Sequence, residues 1–178
     1  MKSLPLLVGL LLFITGCATG PRGLPPSAGI NNFDRVNDGL YRGAQPDSPG
    51  MEGLKRRGIK AIINLRMTGD VSVAEEVEAR DFGMTYTNVP MRGLGRPTDE
   101  QVTKALLIIE TFPAPVFIHC KYGCDRTGTI IACYRIQHDG WTSKAALSEA
   151  RQHGMSFWEF EMRNYVREFA KSRKPKAK

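Results

Sequence analysis

At 178 residues, 42% hydrophobic and 24% charged, the chain has an ordinary globular composition and room for one domain with a real core rather than two. Its formal charge of +7 points to a polyanion partner only until the charges are located. Lys171, Arg173, Lys174, Lys176 and Lys178 crowd the C-terminus and Lys2 lies in a segment expected to be removed, so the body is close to neutral and no nucleic-acid partner is expected.

Lys2 followed by the apolar run Leu4 to Ile14 reads as the start of a signal peptide, because the run is too short for a membrane span of about 20 residues. It ends Ile14-Thr15-Gly16-Cys17, which resembles the bacterial lipobox. The resemblance implies a signal peptide over 1–16 and a lipidated Cys17 as first residue of the mature chain. Attachment through more than one acyl chain would be durable. Ala18 after the cysteine implies, by the same analogy, the periplasmic face of the outer membrane. Residues 17–32, rich in Pro and Gly with Arg22 as their only charge, read as a flexible tether. A domain over 33–170 and a basic tail over 171–178 complete the expected organisation.

Phe33 to Val36 and Leu40 to Arg42 are short strands, and Asn37-Asp38-Gly39 between them predicts a hairpin. Met51 to Arg57 predicts a helix stopped by Gly58, and the β-branched run Ile59 to Leu65 a buried strand. Ser72 and Glu75 suggest a capping box for a helix over 72–82, with Met84 to Val89 as the next strand. Thr98 with Gln101 caps a helix to Phe112 whose apolar positions share one face. After Pro113-Ala114-Pro115 comes the apolar strand Val116 to His119, then a buried helix over 129–137 and two more over 143–153 and 157–170. Alternating strands and helices predict a single α/β domain with a mostly parallel central sheet flanked by helices.

The chemistry concentrates at residues 119–128, His-Cys-Lys-Tyr-Gly-Cys-Asp-Arg-Thr-Gly, between the apolar strand and the buried helix. The five residues between Cys120 and Arg126 allow a curl in which backbone N–H groups converge on one centre, with the positive end of the following helix aimed at the same point. A thiol at the base of such a cradle is expected to ionise with a pKa of about 3.5–7.5. Arg126 can grip two phosphoryl oxygens at once, which a lysine cannot. Gly123 and Gly128 permit close backbone approach. Lys121, Tyr122, Gly123, Cys124 and Asp125 therefore join Arg126 as candidate phosphate-binding residues.

This segment resembles the His-Cys-x5-Arg-Ser/Thr signature of the protein tyrosine phosphatase superfamily. Leu40-Tyr-Arg-Gly-Ala-Gln-Pro46, Ile63-Asn-Leu-Arg66 and Val89-Pro-Met-Arg-Gly93 extend the likeness to the atypical dual-specificity phosphatases of plants, fungi and bacteria. The resemblance implies a tyrosine-phosphatase-like fold, attack of Cys120 on phosphorus, a phosphocysteine intermediate and its hydrolysis by water. It also implies that His119 orients the loop and that the Thr127 hydroxyl steadies the thiolate. No cofactor is implied, and the Cys and His spacings suit no tetrahedral metal site.

The acid that protonates the leaving oxygen is open between Asp125, which resembles the loop Asp of myotubularin-type lipid phosphatases, and Asp99 in the first turn of a helix. A third reading dispenses with a protein acid for a good leaving group. Cys124 beside the nucleophile raises a reversible Cys120–Cys124 disulfide. Lys121, Arg92 and Arg96 suit multiply charged ligands, whether phosphoinositide, inositol polyphosphate or pyrophosphate, or phosphoprotein. Two rival classes stand beside the phosphatase: a membrane-tethered phosphate-binding pseudo-phosphatase, and another Cys-x5-Arg enzyme such as a rhodanese-like sulfurtransferase.

Overall fold

The strand that feeds the motif, β5 (Val116–Cys120), is the middle strand of a five-stranded sheet in the computed structural model, which describes residues 22–173. The order is β1-β2-β5-β3-β4, with β1 (Asp34–Asn37) and β2 (Leu40–Ala44) forming the expected antiparallel hairpin. β2, β5, β3 (Ala61–Asn64) and β4 (Thr85–Asn88) run parallel. All of β3 and β5 is buried, as expected of parallel strands covered on both faces. The single α/β domain with a mostly parallel sheet is therefore what forms.

Neighbouring residues on the strands divide between two cores. Ile62 and Phe117 face α1 (Ser48–Arg56) and α2 (Asp70–Asp81). Ile63, Val116 and Ile118 face the group of α3 (Asp99–Thr111), α4 (Asp125–Gln137), α5 (Ser143–Gln152) and α6 (Phe160–Ser172). Within that group α4 is buried on nearly all sides and packs against α3, α5 and α6. A Cβ on Gly128 would lie 3.4 Å from that of Ala150, so this glycine lets α5 approach α4 closely. The helix that carries the motif is thus clamped from three directions.

Several boundaries differ from expectation. α1 starts at Ser48 because Asp47 caps it, its side chain accepting from the Gly50 N–H at 2.8 Å. α2 begins two residues before Ser72: Gly69 is the capping position, and Ser72 is the third helical residue, accepting from the Gly69 N–H at 2.9 Å. Glu75 is therefore no cap, and turns inward to the sheet instead. The Thr98–Gln101 box forms as expected at α3. α6 starts at Phe160 rather than Phe157, and the side chains of Phe157 and Trp158 stand in solvent.

The largest correction concerns the tether. Its described part, Arg22 to Asn32, folds onto the domain, with Ile30 packed among Met51, Leu54 and Phe117, and with Asn32 fully buried. The domain therefore starts well before Phe33. At the other end Lys171 and Ser172 belong to α6, and Arg173 stacks on the Phe169 ring at 3.5 Å, so the tail begins only after them. The signal segment, Cys17 and Lys174 to Lys178 lie outside the described residues. Among the described residues no helix is long and apolar enough to cross a membrane.

Candidate active site

Cys120 is the last residue of β5 and lies at a cavity of about 300 Å³ whose wall also includes Lys121, Tyr122, Asp125 and Arg126. The chain turns sharply between strand and helix. Gly123 has φ +69°, and a Cβ there would come within 2.5 Å of the Gly43 backbone, so only glycine fits. α4 then starts at Asp125, earlier than the sequence pattern indicated. The N–H groups of its first turn lack partners within the helix, and its dipole favours an anion at the same end. Arg126 reaches back into the cavity, and its Nη1 donates to the carbonyls of Leu65 and Met91, both at 3.4 Å. These two contacts hold the guanidinium at the ends of β3 and β4.

Support beneath the loop comes from two buried groups. Arg42 on β2 is fully buried and its Nη2 donates to the Gly123 carbonyl at 3.0 Å. Burial lowers its pKa to about 10, still well above neutral, so it remains a cation under the loop. On the other side His119 Nε2 lies 2.8 Å from Glu75 Oε1, and Glu75 also receives the Asn64 amide and the Tyr86 hydroxyl. Burial acts to raise the Glu75 pKa, but His119 and the donated hydrogen bonds outweigh it and hold the carboxyl below its ordinary value. Thr127 is fully buried, and its hydroxyl has no hydrogen-bond partner among the described residues.

The two candidate acids separate clearly. Asp99 accepts from the Tyr165 hydroxyl at 2.8 Å and sits with Arg96 in a different depression, so it does not reach Cys120. Asp125 lines the Cys120 cavity, with one oxygen accepting from the Ser156 N–H at 2.7 Å and the other 3.2 Å from the Arg22 guanidinium. Arg96 is tied to Glu168 at 2.6 Å, and Arg92 and Arg96 share a second depression outside the cavity wall. Arg92 and Arg96, expected to serve a multiply charged ligand together with Lys121, thus lie apart from the cavity that Lys121 lines. Gly93 and Leu94 of the same loop are the residues that line it.

Cys124 takes part in the loop through its backbone, while its side chain turns away from the cavity. Its thiol donates to the Tyr122 carbonyl at 3.2 Å and receives the Asn32 amide at 3.6 Å. Burial pushes its pKa up to about 11. Cys133 is buried within α4 and is likewise shifted upward by burial. Among the described residues no cluster of three or more His, Cys, Asp or Glu could hold a metal ion.

Sequence reasoning missed Arg22, Ser156 and Trp158, all of which line the cavity. The one available signal was Arg22 itself, the lone charge in an otherwise neutral segment. Glu159 was also missed. It is buried, its pKa is raised chiefly by that burial, and it feels the charge of Asp125.

A family model described as a DSP-PTPase phosphatase fused to NAD+ kinase matches residues 25–168. The chain is 32% identical over 142 residues to the dual specificity protein phosphatase TpbA of Pseudomonas aeruginosa, covering 76% of this chain and 62% of that protein. It is 26% identical over 155 residues to the inositol diphosphatase DSP3 of Arabidopsis thaliana, covering 82% and 71% respectively. The crystal structure of P. aeruginosa TpbA superposes with a TM-score of 0.69 at 24% identity, over 86% of this chain and 97% of that one, which supports the fold. A cysteine at the centre of a parallel sheet, an arginine six residues on and a family match across the whole domain lead to one conclusion: this chain belongs to the DSP-PTPase family of cysteine-dependent, dual-specificity-type phosphatases.

Proposed function

We propose that this chain hydrolyses a phosphoric monoester through a phosphocysteine on Cys120, with Asp125 as the proton donor. The observation that carries the reading is the meeting of Cys120, Arg126 and Asp125 on one cavity at the N-terminus of α4. Arg126 and the free N–H groups of the first helical turn bind the phosphoryl oxygens, whose charge they match. The Cys120 thiolate attacks phosphorus as the ester oxygen departs, and Asp125 gives that oxygen its proton. Water then attacks phosphorus, Asp125 takes the proton, and Cys120 leaves as thiolate. Orthophosphate is released and the enzyme is restored.

Arg22, Lys121 and Arg126 give the cavity three cations against the single carboxylate of Asp125. That balance suits a dianionic or more highly charged phosphate, carried by phosphotyrosine or phosphoprotein, by a phosphoinositide or by an inositol (pyro)phosphate. The relatives' names, a dual specificity protein phosphatase and an inositol diphosphatase, fall within the same range. Turnover of p-nitrophenyl phosphate by the full chain should vanish in Cys120→Ser, and Asp125→Asn should accumulate a phosphoenzyme, trapped by rapid alkaline quench and labile in acid as an S-phosphate is. Turnover that survives Cys120→Ser would overturn the mechanism. Relative kcat/KM for a phosphotyrosine peptide, phosphoinositide vesicles and an inositol pyrophosphate would then assign the substrate. We also propose that Cys17 is acylated and holds the enzyme on the periplasmic face of the outer membrane. Radiolabelled palmitate should enter the parent chain and not a Cys17→Ser chain.

A further inference from the structure

The mouth of the catalytic cavity carries an apolar rim that the hydrolytic chemistry does not use. Leu94, Tyr122 and Trp158 line it and are 69, 50 and 53% exposed, and Phe157 and Phe160 beside Trp158 are 71 and 60% exposed. The rim is continuous around Trp158. Phe157 meets the indole edge-on at 4.8 Å between ring centres, and the Phe160 N–H closes a turn on the Trp158 carbonyl at 2.8 Å. Phe157 and Trp158 lie before α6, on a connection that the sequence pattern assigned to the helix, Phe160 is the first residue of α6, and folding leaves all three in water. A protein that exposes a contiguous group of large apolar side chains is showing a contact surface.

The charges around the rim identify what it contacts. Arg22 and Lys121 lie 5.2 and 5.1 Å from the Tyr122 ring centre, and Arg163 lies 5.7 Å from that of Phe160. Glu161 is the exposed acid within the α5–α6 connection and the first turn of α6. Amphipathic aromatics interleaved with basic side chains are the composition of a surface that enters the headgroup region of a bilayer: rings lodge at the acyl boundary while guanidinium and ammonium groups meet lipid phosphates.

The chain direction agrees. The described residues begin with Arg22, which is itself on this mouth, and the apolar run Leu4 to Ile14 and Cys17 precede it. The five peptide steps from Cys17 to Arg22 span at most about 18 Å. A membrane attachment at Cys17 would therefore keep the catalytic face close to the bilayer and leave little room for the opposite face to turn toward it.

We infer that the rim of Leu94, Tyr122, Phe157, Trp158 and Phe160 is a docking surface for an anionic bilayer, so that the enzyme works with its catalytic mouth against the lipid. The inference does not depend on which phosphoester is cleaved. The chain has two tryptophans, so the full-length Trp141→Phe protein reports from Trp158 alone. On phosphatidylcholine vesicles containing phosphatidylglycerol, Trp158 emission should shift to the blue, be quenched by lipid brominated on its acyl chains and be shielded from aqueous acrylamide. Adding Phe157→Ser and Phe160→Ser should abolish the bromolipid quenching while p-nitrophenyl phosphate turnover in solution stays at the parent level. Trp158 as open to acrylamide on vesicles as in solution would overturn the inference. So would bromolipid quenching that the double substitution leaves intact, or a change in sedimentation showing that the rim instead joins two copies of the chain. The Cys120→Ser protein separates the two proposals, since it should lose turnover and keep the quenching.

Discussion

The Arg22 guanidinium lies 3.2 Å from one carboxylate oxygen of Asp125 and stacks over the Tyr122 ring, while the other oxygen of Asp125 accepts from the Ser156 N–H. The N-terminal segment thus places a cation against the carboxylate of the Cys120–Arg126 loop. On the proposed mechanism an incoming phosphate dianion would compete for Arg22 and free that carboxylate oxygen for the leaving group. Asp125→Asn should lower kcat/KM about 10²–10⁴-fold for phenyl phosphate and much less for p-nitrophenyl phosphate, whose leaving group needs little protonation, and the pH profile of kcat/KM should lose its alkaline limb. Arg22→Ala should instead raise KM with a smaller change in kcat. Equal losses of kcat/KM on both esters in Asp125→Asn would remove it as the acid.

Arg42 should act through the loop it supports. Its guanidinium holds the Gly123 carbonyl away from the cavity, so the intervening N–H groups can face an anion, and it places a buried charge near Cys120. Arg42→Met leaves that carbonyl unpaired at a cost of about 1–3 kcal/mol in stability. The alkylation of Cys120 by iodoacetamide should then move to higher pH, because a cation that favours the thiolate is gone. Arg42→Lys, which keeps the charge and one donor, should recover part of that shift. A purely structural role predicts lower stability with an unchanged alkylation profile.

Glu75 and His119 give the fold an acid-labile element. The native carboxyl of Glu75 lies below its ordinary pKa, so the folded chain binds this proton less readily than the unfolded chain. The stability it contributes is present above the unfolded value of about 4.3 and is lost as pH falls through the lower folded value. Glu75→Gln should cost about 3 kcal/mol at neutral pH, the scale for removing one partner of a buried pair. Its unfolding free energy should also depend less steeply on pH below about 4.3. Urea titrations of both proteins from pH 3 to 7 (about the range over which carboxyls titrate) measure this directly, and parallel curves would show that the pair carries no such linkage.

What the sequence disclosed follows from what is local. The strand, the sharp turn and the helix around Cys120 are written in consecutive residues, as is the Thr98–Gln101 box, and all of them form. The parallel sheet was legible because alternating elements leave few other architectures. Contacts that join distant segments were not legible. Nothing in a Pro- and Gly-rich stretch says that Asn32 will donate to the carbonyls of Tyr122 and His153, at 3.2 and 2.9 Å, and so close residues 22–32 over the loop. Glu75 fitted a capping box by spacing alone, and only the approach of β5 to α2 shows why a carboxylate is buried there. Asp99 is placed correctly at a helix start, and that same dipole position, together with Tyr165, explains it without chemistry.

Oxidation should distinguish the two loop cysteines. Cys120 faces the cavity, whereas the Cys124 thiol is buried, bonded to the Tyr122 carbonyl and pushed up to about 11. A thiol attacks a sulfenic acid through its thiolate, and at neutral pH almost none of Cys124 is in that form. Mild peroxide should therefore convert Cys120 to the sulfenic acid and onward, without a Cys120–Cys124 disulfide, as long as the loop keeps this conformation. Trypsin cuts after Lys121, between the two cysteines, so a disulfide would join two peptides and be plain in a mass spectrum. Finding that linked pair would show that the loop opens far enough to expose Cys124, and that Asn32 and Arg22 release it. Asn32→Ala, which removes the amide donated to the Cys124 sulfur and to the His153 carbonyl, should then speed disulfide formation and leave Cys120 alkylation in the unoxidised enzyme unchanged.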